Sequence, residues 1–206
     1  MTLKELHDAV ALLGAEESLE AIDTTAVNNF YNAATKAVLA VNAIRPRKVI
    51  AELVHNGSTW TAVSGNNEIS TESKATVISF DFSLFNDFLR FRTPPYLPWG
   101  ASLIEGSDYC FRDNTILELN PALKESLYRV EYDMAMPKYN ADMAEEIIPL
   151  DDDLLAMLPN LVGYYVLLDD NPTMAAHLKN MYDEQYALAM RAKRSYLSTY
   201  QNTNNW

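Results

Sequence analysis

The sequence predicts an α+β protein in which helices from both ends of the chain form one helical bundle with a β-rich middle insertion. Near both ends, apolar residues recur every three or four positions, as on the buried face of a helix. Between them, β-branched and aromatic residues are frequent and are interrupted by turn sequences. Hydrophobic residues make up 49% of the 206 residues, which is enough for a substantial core.

These patterns divide the chain into four segments. We assign residues 1–47 to an N-terminal helix pair and 48–136 to the β-rich middle region. Residues 137–197 are assigned to a C-terminal helix pair, which forms one bundle with the first segment. Residues 198–206, STYQNTNNW, are predicted to be a polar tail.

The first segment contains two helix patterns. Leu3 to Leu13 forms an amphipathic pattern, and Gly14 is a natural helix end. The second pattern begins near Thr24 and must end before Pro46, because the residue before a proline avoids the helical region.

The middle segment contains two hairpin signals. The first is Asn56-Gly57, between VIAELVH and STWTAVS, and the second is Asp113-Asn114, between two apolar runs. The stretch YRVEYDMAM alternates apolar and polar residues, which is typical of a half-buried strand. The phenylalanines of FSLFNDFLRF fit helix and strand spacing equally well, so the sequence leaves this stretch open.

The third segment, residues 137–197, contains three adjacent carboxylates, Asp151 to Asp153, directly before an apolar run. They could form a metal or acid–base site, but acidic residues also favour the first turn of a helix, and we interpret them as a helix start. Pro159 should kink or restart that helix, and Pro172 suits the first turn of the final helix, which we expect to end near Leu197.

The charge balance argues against a sequence-specific nucleic-acid reader. The chain has 16 basic and 28 acidic residues, a net charge of −12. Phosphate recognition needs concentrated Lys and Arg. The two basic groups, RPRK and RAKR, lie where helices are predicted to end, and cations complement a helix dipole there.

No motif of a known catalytic or cofactor site occurs in the sequence. His7, His55 and His177 are far apart, and Cys110, in a predicted strand, is interpreted as a buried, inert thiol. We therefore predict no catalytic residue, no cofactor and no metal. The remaining alternative is a metal-dependent enzyme that uses scattered carboxylates. These carboxylates are Glu145, Glu146, Asp151–Asp153, Asp169, Asp170, Asp81 and Asp87.

The N-terminus lacks the apolar core of a signal peptide, and no apolar run approaches the length needed to cross a bilayer. We expect a protein that is made in a reducing interior and does not associate with a membrane.

The order of these segments resembles the head-to-tail adaptor proteins of tailed bacteriophages, also called connector or neck proteins. The resemblance is clearest from about Tyr128 to Leu197, where the strand YRVEYDMAMP leads through an acidic linker to two helices. The second helix carries YDEQY, from Tyr182 to Tyr186, at the position of a recurring tyrosine motif. The N-terminal helix pair and RPRKVIAEL resemble the podovirus tail-tubular type, whereas residues 92–109 match no element of the family.

The resemblance implies a structural virion protein without enzymatic activity. Such a subunit would form a homo-oligomeric ring, commonly a dodecamer, below the portal protein in the neck of the virion. It would be assembled in the host cytoplasm, would bind portal and tail proteins, and would let DNA pass without reading it. A tail-completion or minor capsid protein is the alternative within the same class.

Four aromatic residues are the candidate interface residues. Tyr96 and Trp99 lie in TPPYLPWGASL, whose prolines favour a rigid, extended segment. This segment is predicted to contact another subunit or virion protein, with a loop folded onto its own sheet as the alternative. Tyr200 and Trp206 in the tail are predicted to be buried against a partner.

Overall fold

The computed structural model describes residues 1–15, 24–72 and 76–202. The chain divides into two compact units, one made of Met1–Arg45 and Met136–Trp206 and the other of Pro46–Ala135. The described helices are α1 (Leu3–Val10), α2 (Thr24–Asn42), α3 (Asp152–Leu155), α4 (Leu158–Leu167) and α5 (Pro172–Asn202). The described strands are β1 (Lys48–His55), β2 (Thr59–Ser64), β3 (Asn67–Glu72), β4 (Ile78–Asp81), β5 (Phe88–Phe91), β6 (Tyr109–Arg112), β7 (Ile116–Leu119) and β8 (Leu127–Met134).

The predicted fold class is wrong. The fold is mixed α/β and is built mainly on a curled antiparallel sheet that forms half of a barrel, and the described residues show no bundle of N- and C-terminal helices. A bundle needs several helices of similar length with continuous apolar faces. Here α1 has eight residues and continues into a π-helical segment, Ala11–Ala15, where Gly14 (φ 87°) breaks the first helix pattern. α3 has only four residues, because the pattern after Asp151 breaks before Leu158.

The unit Pro46–Ala135 contains two antiparallel sheets. The larger sheet has the strand order β3-β2-β1-β8-β5, and the smaller one has the order β4-β7-β6. Alternate side chains of the strands point into one core, as the period of two in YRVEYDM requires. The largest fully buried side chains of this core are Trp60, Tyr128, Tyr132, Phe80 and Phe82.

Both predicted hairpins are confirmed. β1 and β2 pair across Asn56-Gly57, where Gly57 has φ 91° and the Asn56 side chain accepts from the Thr59 amide at 2.9 Å. β6 and β7 pair across Asp113 and Asn114, which have φ 51° and 61°. Asp and Asn tolerate this left-handed conformation better than other non-glycine residues. The stretch FSLFNDFLRF, for which the sequence did not decide between helix and strand, forms a 3₁₀ turn at Phe82–Leu84 followed by β5.

In the other unit, α4 and α5 pack antiparallel, as the short connection between them predicts. Gly163 lies directly against Leu178, and the Asn160 amide donates to Gln185 Oε1 at 3.1 Å. α4 also contacts α1 and α2, and Pro159 lies in its first turn, where it restarts the helix as predicted. No helix in the described ranges is both long and apolar enough for a bilayer.

The carboxylates Asp151 to Asp153 do begin a helix, but they do not cap it. Asp151 occupies the N-cap position of α3 without a side-chain cap hydrogen bond. Instead, Asp151 and Asp153 both pair with Arg45, at 2.9 and 2.5 Å. Arg45 is one of the basic residues that we had assigned to a helix end, and these ion pairs join the first segment of the chain to the third.

Leu178→Ala should lower the free energy of unfolding by about 2–5 kcal/mol, because it leaves a cavity against α4. Leu178 is 2% exposed. Leu188→Ala on the same helix is the matched control and should change stability by less than about 0.5 kcal/mol, since Leu188 is exposed. Urea unfolding measures both variants, and equal losses would contradict the packing of α5 on α4.

Tyr139→Phe should not destabilise the protein at pH 7, because the buried Tyr139 hydroxyl has no hydrogen-bond partner among the described residues. Burial, and then the charge of Glu146, raises the pKa of Tyr139 to about 12. Since an unfolded tyrosine titrates near 10, stability should fall as pH rises from 10 to 12, by about 1.4 kcal/mol per pH unit for this residue. The variant should therefore show a shallower alkaline loss in urea unfolding at pH 7 and 11.

Tyr132→Phe is the control for Tyr139→Phe. The Tyr132 hydroxyl donates to Asp87 Oδ1 at 2.9 Å and lies 2.9 Å from Ser64 Oγ. Its removal should cost about 1–3 kcal/mol at pH 7. A larger loss for Tyr139→Phe than for Tyr132→Phe would refute this assignment.

Candidate interaction surface

Strand β8 carries a group of charged side chains that form ion pairs with residues of neighbouring segments. Its inward residues are buried aromatic and aliphatic side chains, and its outward residues are Arg129, Glu131 and Asp133. β1 pairs with one side of β8, and β5 pairs with the other. The outward residues of β8 therefore lie between charged side chains of two neighbouring strands.

Asp133 holds two arginines in place. Its carboxylate accepts from Arg90 Nε at 2.8 Å and from Arg92 Nη1 at 3.0 Å. The Asp133 side chain is only 4% exposed, whereas both arginines remain accessible to solvent. A buried carboxylate that is shared by two guanidinium groups fixes their positions while leaving their outer faces free for other contacts.

The next outward residues of β8, Glu131 and Arg129, form further ion pairs. Together with the pairs of Asp133 they make a line of charges that we call the ionic row. Glu131 Oε1 lies 2.9 Å from Lys48 Nζ, and it accepts from the Tyr96 hydroxyl at 3.2 Å. Arg129 donates to Glu52 Oε1 at 2.8 and 3.1 Å. The row contains four cations (Lys48, Arg90, Arg92 and Arg129) and three carboxylates (Glu52, Glu131 and Asp133), a net charge of about +1 on a chain of −12.

Residues 95–103 form a small hairpin beside this row, which we call the Trp99 hairpin. Leu97 N donates to Ala101 O at 2.7 Å, and Leu103 N donates to Pro95 O at 2.9 Å. Gly100 N donates to Leu97 O at 2.8 Å and closes the turn. Pro98 presets the turn conformation, and Gly100 supplies the positive φ of 97° that a side chain would disfavour.

Two backbone hydrogen bonds attach the hairpin to β8. Tyr96 N donates to Arg129 O and Arg129 N donates to Tyr96 O, both at 2.8 Å. With the hydroxyl bond to Glu131, Tyr96 is attached to the sheet at three points. Burial, and then the charge and hydrogen bond of Glu131, raises the pKa of Tyr96 above its ordinary value.

Trp99 lies at the tip of the hairpin and is 68% exposed. The two aromatic residues that the sequence grouped together thus differ: Tyr96 anchors the segment to its own sheet, and Trp99 projects from it. Ile104, just beyond the hairpin, is also largely exposed. An exposed indole on a hairpin whose backbone is hydrogen-bonded to the sheet fits the composition of binding hot spots, in which Trp, Tyr and Arg predominate.

The structure describes only part of the predicted tail. Trp206 lies outside the described residues. Tyr200 belongs to α5, whose helical backbone continues to Asn202, beyond the predicted end near Leu197. The basic group RAKR is consequently inside the helix and not at its end.

The scattered carboxylates of the enzyme alternative do not converge where the structure is described. Within residues 1–15, 24–72 and 76–202, no group of three His, Cys, Asp or Glu side chains has the arrangement of a metal site. Asp81 accepts from the amide and hydroxyl of Ser83, and Asp87 accepts from Tyr132 and Asn67.

The remaining candidate groups have ordinary contacts. His55 stacks on Trp60 with ring centroids 4.7 Å apart. The Cys110 thiol is half-buried and donates to Glu118 at 3.3 Å. This hydrogen bond, followed by burial, raises the pKa of Cys110, which disfavours a reactive thiolate.

Arg90, Arg92 and Asp133 were missed as site residues in the sequence. A signal was present, because Arg129, Glu131 and Asp133 occupy the outward positions of the predicted strand YRVEYDM. Their partners come from β1 and β5, which are distant in sequence, so the pairing could not be derived without the strand order.

No protein-family model matches the chain, and a search of curated proteins returns no significant match.

Asp133→Asn should lower the free energy of unfolding by about 1–3 kcal/mol, because the two arginines lose their shared carboxylate. The exposure of the arginines keeps the loss below that of a fully buried pair. Asp183→Asn, in the exposed pair with Lys179, is the control and should cost less than about 1 kcal/mol. Equal losses in urea unfolding would contradict the structural role of Asp133.

Proposed function

We propose that this chain is a structural virion protein, a head-to-tail adaptor subunit of a tailed bacteriophage. It would form a ring below the portal, through which DNA passes and to which the tail attaches. The observation that supports this proposal best is the Trp99 hairpin, whose backbone is hydrogen-bonded to β8 and whose tip presents an exposed tryptophan. An adaptor needs such preformed contact surfaces because it joins two other protein layers, and preorganisation lowers the ordering cost of binding.

The charge distribution supports a passage for DNA better than a DNA-binding site. The basic residues of β1, β5 and β8 are matched by carboxylates within hydrogen-bond distance. A matched arginine offers less to a phosphate than an unpaired one, and a net charge of −12 repels the duplex overall. A channel that lets DNA pass without retaining it needs such weak attraction for phosphates.

A tail-completion or minor capsid protein remains the second candidate, since it would use the same exposed hairpin to join neighbouring virion proteins. The metal-dependent enzyme is less well supported. Its carboxylates have structural contacts, such as the pairing of Asp151 and Asp153 with Arg45. We assign no catalytic residue.

Trp99→Ala should leave the subunit folded but impair joining of heads and tails. Trp99 is exposed, so its loss should change stability by less than about 0.5 kcal/mol. The loss of a central tryptophan contact typically costs an interface 2 kcal/mol or more, about thirtyfold in affinity. Complementation of a phage that lacks this protein, followed by electron microscopy, should show unattached heads and tails with the variant.

Leu89→Ala is the matched control, because Leu89 is an exposed apolar residue of β5 outside the hairpin. It should assemble normal particles. Normal particles with Trp99→Ala would contradict the role of the hairpin. Normal particles without any copy of the protein would contradict the adaptor function itself.

A further inference from the structure

Helix α5 is much longer than the helix that it packs against. It has 31 residues and α4 has 10, which correspond to about 46 and 15 Å. Ala175, Leu178 and Tyr182 are buried, and Gln185 bonds to Asn160 near the start of α4. Beyond this point the helix is more open: Ala187 is exposed and Leu188 is 62% exposed.

The sequence of α5 changes at the same place. We call residues 186–202 the distal helix. No acidic residue follows Glu184, and three basic residues, Arg191, Lys193 and Arg194, lie within the distal helix. In the sequence, Ala189, Ala192 and Tyr196 continue the spacing of the buried stripe.

The same unit carries a surface of the opposite charge, which we call the acidic segment, residues 142–153. It contains six carboxylates, of which Glu145 pairs with Lys4 and two pair with Arg45. Asp142, Glu146 and Asp152 are exposed and form no ion pair with the described residues. Ile147, between them, is 71% exposed.

The backbone near Ile147 is held in place by the N-terminus. Leu3 N donates to Glu146 O at 3.2 Å, and Lys4 N donates to Ala144 O at 2.9 Å. Ile148 N donates to Met1 O at 3.1 Å. The exposed isoleucine and its flanking carboxylates are therefore presented from ordered backbone.

We propose that the distal helix of one copy docks on the acidic segment of a second copy of this chain. The proposal rests on the adaptor function and specifies how the ring closes. Basic residues of the helix would face Asp142, Glu146 and Asp152, and exposed apolar residues such as Leu188 would contact Ile147. The two surfaces are different patches of one chain, so the contact is heterologous and can repeat around a ring.

A second copy is the occupant favoured by the charges. The distal helix carries three positive charges and no negative one, and the acidic segment has six carboxylates with no basic residue inside it. Every copy contributes one surface of each kind, so the contacts balance in a closed ring. Complementary charge of this type sets specificity and orientation between subunits.

Charge reversal tests this contact in the full-length chain by sedimentation velocity. Arg191→Glu with Arg194→Glu, and separately Asp142→Lys with Glu146→Lys, should each weaken self-association by about tenfold or more. An equimolar mixture of the two variants should associate again, because each reversed surface meets a complementary one. Added salt should weaken both the wild-type and the mixed assemblies.

Glu68→Lys with Lys124→Glu is the control, since both residues are exposed and lie in the other unit. It should associate as the wild type does, and circular dichroism should show that every variant is folded. If the wild type associates and either reversed variant associates equally well, or if the mixture stays monomeric, the docking contact is refuted while the adaptor function stands. A wild type that is monomeric at all concentrations would refute both.

Discussion

The pairing of β8 with strands on both sides is the constraint on which the sheet and its outer surface depend. Its inner side chains, Tyr128, Val130 and Tyr132, fill the core, and its outer side chains organise the ionic row. A shift of one residue in register would turn Asp133 inward and Tyr132 outward. The burial of three large side chains therefore fixes the positions of the charged ones.

Everything that we propose for the Trp99 hairpin follows from this register. Tyr96 can exchange two backbone hydrogen bonds with Arg129 because, in this register, the backbone N–H and C=O of Arg129 point toward the hairpin. Glu131, two residues further along β8, accepts a hydrogen bond from the Tyr96 hydroxyl. These hydrogen bonds order the backbone of the hairpin in the absence of a partner, so the backbone loses little freedom on binding.

Local sequence signals predicted local structure well, whereas long-range packing was harder to derive. Asn56-Gly57 determines its hairpin through backbone conformation alone, and Pro159 restarts a helix for a similarly local reason. The bundle was wrong because periodicity does not show how far a helix extends: Gly14 interrupts one pattern, and the pattern after Asp151 is divided into two short helices. Tyr96 and Trp99 looked alike in sequence, but only the strand order reveals that one of them is anchored.

Amide hydrogen exchange of the isolated chain tests most directly whether the Trp99 hairpin is preformed. The account predicts that the amides of Tyr96, Leu97, Leu103 and Arg129 exchange slowly, at rates close to those of the β8 amides bonded to β1, because each donates a backbone hydrogen bond. Fast exchange of the hairpin amides, at the rate of an unstructured loop while β8 remains protected, would contradict it.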